Sequence, residues 1–145
     1  MSDFLGFDHI DMRVASVAAA EPFYDQLMPL LGLSRKHHAY VDAQGEWTDV
    51  KTDGSYNAVE YYEEKQAHRA AYFIGFIEDA AMQPSLTRIA FRVEAPLALE
   101  QWMTRLEQMG ARNIQPSESM EEYPAIFFED PAGTKLELAA RRPAA

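Results

Sequence analysis

The sequence predicts an α+β fold made of two β-α-β-β-β modules that follow one another along the chain. One observation is a repeated strand-like segment, residues 7–14 and later residues 86–93, which ends in Arg-Val each time. The other is a helix-like segment that follows each copy and stops at a glycine, Gly32 in the first and Gly110 in the second. These landmarks recur at nearly the same separation, so we infer two copies of one supersecondary unit.

The first module can be followed element by element. Apolar side chains recur at helical spacing from Ala20 to Leu31, which predicts a helix after the first strand. Ser16 is placed to accept a hydrogen bond from a free N–H at the start of this helix, and Gly32 suits the left-handed residue that ends it. Four β-prone segments follow, one more than the module requires: residues 36–41, 48–52, 58–63 and 71–77.

The second module shows the same order. Its helix is predicted by apolar residues at helical spacing, namely Leu99, Trp102, Met103 and Leu106. Residues 130–133 read Asp-Pro-Ala-Gly, with proline and glycine at positions that a tight turn permits, so they predict a hairpin. The β-prone segments of this module are residues 112–115, 125–129 and 135–140.

Length and composition limit the class of protein. The chain has 145 residues, of which 48% are hydrophobic, and this suits one domain with a packed core. We therefore expect a single domain over residues 1–145, with module 1 over about 4–79 and module 2 over about 85–141. The formal net charge of −10 disfavours nucleic acids and anionic membranes as partners, and the lack of cysteine excludes disulfides and thiol chemistry.

The beginning of the chain bears on its location. It does not resemble a secretion signal, because Asp3 stands where a basic residue is needed and Asp8 interrupts the apolar run. No apolar stretch approaches the roughly 18 residues of a transmembrane helix. We therefore expect a cytoplasmic protein.

Four segments together resemble the vicinal oxygen chelate superfamily, which includes glyoxalase I, bleomycin-resistance proteins and extradiol dioxygenases. Residues 9–14 (His-Ile-Asp-Met-Arg-Val) are similar to its first strand, and Phe23-Tyr24 followed by residues 30–33 (Leu-Leu-Gly-Leu) to its first helix. Residues 89–93 are similar to its fifth strand, and residues 127–138 to its closing hairpin. The resemblance covers residues 7–140. It implies a homodimer, and modules that form a curled, mixed, mostly antiparallel sheet around a cavity with the helices outside.

The resemblance also implies a set of metal ligands, which this chain carries only in part. In metal-dependent members, four inward side chains hold one divalent ion such as Zn, Ni, Mn or Fe, which activates a substrate with adjacent oxygens. His9 and Glu137 match the ligands on the first and eighth strands, whereas Arg88 stands where the family has a fifth-strand His. Residues 71–77 carry no carboxylate for the fourth position. Because a guanidinium repels a cation, the sequence argues against a metal and leaves His9 and Glu137 as the candidate ligands.

The same departure suggests a site in which a fixed charge replaces the metal. Glu137 lies between Leu136 and Leu138, so alternation points it into the cavity, where Arg88 would pair with it. Arg88 would then orient an anionic or enolate-like oxygen of the ligand, and His9 would accept or donate a proton. The alternatives are that His9 is a buried structural histidine and that Arg88 reaches solvent from its strand end.

Aromatic and acidic residues supply the remaining candidates. Tyr72, Tyr123 and Phe127 join Arg88 as candidate substrate-binding residues, although aromatic side chains in such positions also serve as core. Glu60 is an alternative carboxylate ligand if the strand register differs from the one assumed.

These residues leave three functions open. The first is an enzyme of lyase, isomerase or dioxygenase type that acts on a small molecule in the cavity, through His9, Arg88 and Glu137. The alternative is a metal-free protein that sequesters a small molecule, as drug-resistance members of the superfamily do. The third is a structural or regulatory relative without an active site.

Overall fold

A computed structural model describes residue 3, residues 5–94 and residues 98–143 of the chain. In this part of the chain the elements occur in the order β1 (His9–Val14), α1 (Val17–Leu30), β2 (Arg35–Val41), β3 (Trp47–Thr48), β4 (Ala58–Tyr62), β5 (Phe73–Glu78), β6 (Arg88–Arg92), α2 (Leu99–Met109), β7 (Arg112–Pro116), β8 (Ala125–Glu129) and β9 (Lys135–Ala139). This order confirms the predicted α+β fold with two β-α-β-β-β modules. Neither helix among the described residues is long and apolar enough to cross a membrane.

The chain divides into two compact units. Unit 1 contains the chain up to Glu21 together with Met28–Met82, and unit 2 contains Pro22–Leu27 together with the chain from Gln83 onward. Unit 1 holds a sheet with the strand order β1-β5-β4-β2-β3, and unit 2 holds a sheet with the order β6-β9-β8-β7. In each sheet the first and last long strands of the module pair in parallel, and all other pairs are antiparallel.

The helix ends follow the local signals in the sequence. The backbone N–H of Ala19 donates to Ser16 Oγ over 3.2 Å at the start of α1, and Val17 N–H donates to the Glu78 carboxylate over 3.0 Å. Gly32 and Gly110 both have positive φ, at 85° and 96°, which confirms them as the left-handed residues that end the helices. An L side chain at such a φ costs energy, so glycine is favoured there.

The spare β-prone segment of the first module forms only a short strand. Residues 48–52 were expected to be extended, but β3 covers Trp47–Thr48 alone and pairs with the end of β2. The chain then turns, because Gly54 N–H donates to the Lys51 carbonyl and Asp53 accepts from the backbone N–H of Ser55. The predicted extension over residues 48–52 is therefore wrong beyond Thr48, since turn hydrogen bonds replace ladder hydrogen bonds.

Each sheet has one apolar side that forms part of the core. In unit 2, Leu136 and Leu138 of β9 are fully buried and pair with Phe128 and Ile126 of β8. The predicted turn between these strands is present, because Gly133 N–H donates to the Asp130 carbonyl and Asp130 N–H donates to the Thr134 carbonyl. Residues that alternate with the leucines point to the opposite side, and Glu137 is one of them.

Candidate functional site

The strand register of unit 2 brings three candidate residues to one face of its sheet. Glu137 on β9 is the direct partner of Ala90 on β6 and of Phe127 on β8. Arg88 lies two residues before Ala90, so its side chain leaves the sheet on the same side. This polar face of unit 2, defined by Arg88, Phe127 and Glu137, is opposite the buried Leu136 and Leu138.

Glu137 is buried on this face and has a specific partner. Glu137 is only 5% exposed, and its Oε1 accepts a hydrogen bond from the Tyr123 hydroxyl over 2.7 Å. The same hydrogen bond raises the pKa of Tyr123, and burial and the charge of Glu137 add to the rise. Tyr123 therefore keeps its proton at neutral pH and donates it to the Glu137 carboxylate.

Arg88 does not form the expected pair with Glu137. Its guanidinium carbon lies 4.8 Å from the centre of the Phe127 ring, and it has no ion pair with any carboxylate among the described residues. The predicted Arg88–Glu137 ion pair is therefore wrong. The physical reason is that each side chain has another partner. Glu137 accepts a hydrogen bond from Tyr123, and the Arg88 guanidinium lies over the face of Phe127 in a cation–π contact.

A small cavity opens beside Arg88. It measures about 250 Å³, and its lining includes Arg88, Phe127, Asn113 and Lys135. Lys135 Nζ lies 3.4 Å from a carboxylate oxygen of Glu129, so that positive charge is already paired. Arg88 is thus the positive group of this cavity that is left to bind an anionic oxygen from a ligand.

His9 lies on β1 in unit 1 and is neither buried nor unpartnered. Its Nδ1 is 2.7 Å from Asp8 Oδ2 and its Nε2 is 3.8 Å from Asp11 Oδ2. Its ring stacks flat on Phe73 at 4.5 Å. The hydrogen bond with Asp8 raises the pKa of His9, and the charges of Asp11, Asp8 and Glu60 contribute in the same direction. The alternative of a buried structural histidine is therefore wrong, because the side chain is 42% exposed.

A row of polar residues lies next to His9 on the same side of the unit 1 sheet. The register places Asp11, Gly75, Glu60 and His37 side by side on β1, β5, β4 and β2. A Cβ atom at Gly75 would lie 2.6 Å from Asp11 Oδ1 and 3.6 Å from Glu60 Cγ, so both carboxylate side chains lean over the glycine.

Sequence reasoning named Glu60 only as an alternative and missed Asp11. A usable signal was present, because Asp11 lies two residues after His9 and strand alternation puts both on one face. Burial raises the pKa of Glu60, and the nearby Asp11 adds to the rise, whereas His37 acts in the opposite direction.

Tyr72 lies in a different part of unit 1. It lines an open cavity of about 520 Å³ with Leu5, Phe7 and Arg69, and the Arg69 guanidinium carbon lies 5.2 Å from its ring centre. Arg69 is in turn paired with the buried Glu63. Tyr72 remains a candidate ligand contact, and the residues next to it in this cavity are Leu5, Phe7 and Arg69.

Comparison with protein families decides what this fold belongs to. A sequence model of the Glyoxalase/Bleomycin resistance protein/Dioxygenase superfamily matches residues 6–138. The chain belongs to this superfamily. The resemblance seen in the strand, helix and hairpin segments is thereby confirmed.

Several solved structures share the fold of this chain at low sequence identity. A possible glyoxalase from Bacillus cereus is 14% identical, with a TM-score of 0.62 over 94% of this chain and 100% of that chain. The fosfomycin resistance protein FosX from Listeria monocytogenes, complexed with Mn(II) and sulfate ion, is 15% identical, with a TM-score of 0.62 over 96% and 92%. A mutant of that FosX, complexed with Mn(II) and 1S,2S-dihydroxypropylphosphonic acid, is 17% identical, with a TM-score of 0.58 over 95% and 93%. A search of curated proteins finds no significant match.

The superfamily's divalent metal can be tested against the residues present. Within the described residues, no three His, Asp or Glu side chains are grouped so that they could hold an ion. The acidic neighbours of His9 are Asp8 and Asp11, and Glu137 is engaged with Tyr123. The side chains as placed do not fit a resident metal ion, so we derive no chemical role for one.

Proposed function

We propose that this superfamily member binds and transforms a small anionic molecule with adjacent oxygens, using Arg88 as the group that holds an anionic oxygen. The observation that carries this proposal is the unpaired Arg88 guanidinium, held over Phe127 at the edge of a cavity of about 250 Å³. Arg88 is exposed at the start of β6, as the alternative of a solvent-reaching side chain expects, and a fixed positive charge there stabilises an oxygen that becomes more negative during reaction. This suits lyase or isomerase chemistry that passes through an enolate-like oxygen.

The remaining candidate residues take roles in proton transfer and contact. The Tyr123 hydroxyl donates its single proton to Glu137, so it is proposed to accept a hydrogen bond from a hydroxyl group of the bound molecule. In unit 1, His9 is proposed as a proton donor or acceptor toward a small molecule bound by that unit, with its ring held by Asp8 and Phe73. Phe127 is proposed as a contact to an apolar part of the substrate beside Arg88, and Tyr72 as an aromatic ligand contact in its own cavity of unit 1.

The first molecule to test is a phosphonate with two neighbouring hydroxyl groups. The FosX structure that contains 1S,2S-dihydroxypropylphosphonic acid shows that a protein of this fold accepts such a compound. The compound offers both features that the Arg88 site requires, an anionic group and adjacent oxygens. Propane-1,2-diol carries the oxygens without the charge and is the matched neutral compound.

The Arg88→Ala variant tests the proposal by calorimetric titration with this phosphonate. Loss of the charge-assisted hydrogen bonds is expected to weaken binding at least about tenfold. Arg105→Ala is the matched control, because Arg105 also lies over an aromatic ring, that of Trp102 at 5.6 Å, but on helix α2. Equal affinity in the Arg88→Ala variant and the unmodified protein would exclude Arg88 as the anion-binding group.

A second candidate function is metal-free sequestration of a small molecule without turnover. It is favoured by the absence of a metal-binding group of side chains in the described part of the chain. A ligand that raises the melting temperature yet is recovered unchanged would support this function.

The homodimer implied by the resemblance and the cytoplasmic location expected from the sequence belong to the same proposal. Light scattering at two protein concentrations would test the dimer.

A further inference from the structure

The polar row of unit 1, formed by Asp11, Gly75, Glu60 and His37, continues into an open groove at the short strand β3. The groove has a volume of about 460 Å³ and is lined by His37, Ala39, Trp47, Thr48, Asp49 and Glu60. The register explains this arrangement, because Glu60 pairs with His37 and Ala39 lies two residues further along β2. The small Ala39 side chain leaves open space between Glu60 and the β3 residues.

Trp47 is an unusual residue for such an exposed position. It opposes Val41 at the end of the sheet and remains 42% exposed, although tryptophan normally gains stability by burial. A large aromatic face left open along a groove is suited to contact with a ligand. Asp49 follows two residues later and lines the same groove.

Glu60 is a buried carboxylate that has the Tyr62 hydroxyl and the facing His37 as neighbours but no Lys or Arg partner in the described part of the chain. The residue is 8% exposed, and its one hydrogen bond is a long one of 3.4 Å from the Tyr62 hydroxyl. No Lys or Arg among the described residues forms an ion pair with it, and Asp11 nearby adds a second negative charge. A buried negative charge is costly unless a positive group compensates it, so a cation from outside would be stabilised here.

We propose that this groove binds a small organic cation that carries an ammonium group, between the face of Trp47 and the carboxylates of Glu60 and Asp49. Among its described lining residues the groove has no Lys or Arg to repel such a ligand, and His37 is the one base that could gain a positive charge there. Aromatic rings attract ammonium groups through their negative faces, and the two carboxylates complete the charge balance. The proposal does not rest on the proposed function of Arg88.

Choline is the probe for this site, and 3,3-dimethylbutan-1-ol is its neutral counterpart of the same shape. The chain has two tryptophans, Trp47 in the groove and Trp102 buried on helix α2. In an NMR spectrum, one indole N–H signal therefore reports on the groove and the other on α2. Choline is expected to shift the Trp47 signal in a saturable manner and to leave Trp102 unchanged. The neutral alcohol at the same concentration is expected to leave both signals in place.

Two charge-removing variants identify the carboxylates. Glu60→Gln is expected to weaken choline binding by about fivefold or more, because one ion interaction with a partly desolvated ligand is lost. Asp49→Asn serves the same purpose on an exposed residue, in case Glu60→Gln fails to fold. Glu107→Gln removes an equal charge from the exposed side of α2 and is expected to change affinity less than twofold. Equal binding of choline and the neutral alcohol, or no effect of either groove variant, would overturn the proposal.

Discussion

At the scale of single residues, Glu21 ties helix α1 to the sheet of unit 1. Its carboxylate accepts a hydrogen bond from the Tyr56 hydroxyl over 2.7 Å, lies 2.7 Å from His38 Nε2 and pairs with Lys36. Burial by itself raises the pKa of Glu21, but the hydrogen bonds of Lys36, Tyr56 and His38 outweigh it and lower the pKa to about 2. The ionised form is thus strongly preferred in the folded protein.

This predicts a contribution of Glu21 to acid stability. The pKa is lowered from 4.5 on folding, so the contribution is complete above about pH 5 and is lost as the pH falls toward 2. When the pH is lowered from 6.5 to 3.5, both proteins lose free energy of unfolding. The loss should be smaller in Glu21→Gln than in the unmodified protein, by about 1.5 kcal/mol, because the variant lacks the Glu21 carboxylate. Urea unfolding at the two pH values measures this difference.

The exposed Glu107→Gln variant is the control for that measurement, and it should lose as much stability on acidification as the unmodified protein. If Glu21→Gln behaved in the same way as Glu107→Gln, the low pKa of Glu21 would be refuted.

At the scale of elements, strand β5 carries a glycine at the position where two side chains from its neighbours meet. Gly75 pairs with Asp11 on the parallel strand β1 and with Glu60 on the antiparallel strand β4. Glycine normally weakens the interior of a strand, and here its missing side chain gives room for the Asp11 carboxylate. The polar row of unit 1 therefore depends on this glycine.

A double-mutant cycle measures that dependence. Gly75→Ala alone should destabilise the protein or leave its stability unchanged, because the new Cβ displaces the Asp11 carboxylate. In an Asp11→Ala background the same substitution should stabilise the protein by about 0.5–1 kcal/mol, since alanine lowers the entropy of the unfolded chain. Thermal or urea unfolding of the four proteins gives the coupling energy. Equal effects of Gly75→Ala in both backgrounds would show that Asp11 and the glycine are independent.

At the scale of the whole molecule, the chain keeps the superfamily fold while changing the residues at two of the four metal-ligand positions implied by the resemblance. Arg88 stands at one of these positions, and residues 71–77 offer no carboxylate at another. A permanent positive charge at a ligand position opposes binding of a divalent ion. The net charge of −10 does not offset this effect, because exposed charges are screened over about 10 Å at moderate salt.

Elemental analysis tests this point on protein purified without a chelator and then dialysed against Zn²⁺, Ni²⁺, Mn²⁺ or Fe²⁺ in separate experiments. We expect each preparation to contain well below one ion per chain. One ion per chain that is lost in both His9→Ala and Glu137→Ala would instead restore these two residues as metal ligands. Glu107→Gln again provides the control for a general change in charge.

Much of this protein is determined by its sequence alone, because the signals involved are local. The duplicated strand and helix segments, the Ser16 cap, the glycines after the helices and the turn at residues 130–133 depend on neighbouring residues and backbone geometry. The position of Glu137 on the face opposite its flanking leucines also follows from strand alternation. The family assignment rests on the same local segments.

Tertiary structure decided which side chains meet. The partner of Glu137 is Tyr123 and that of Arg88 is Phe127, and neither pairing follows from sequence spacing. The meeting of Asp11 with Glu60 above Gly75 depends on the register of three strands, and a shift of one residue would send these side chains to the other face. Contacts between distant segments depend on packing and register, which no local pattern encodes, so the chemistry of the site emerges only when the chain has folded.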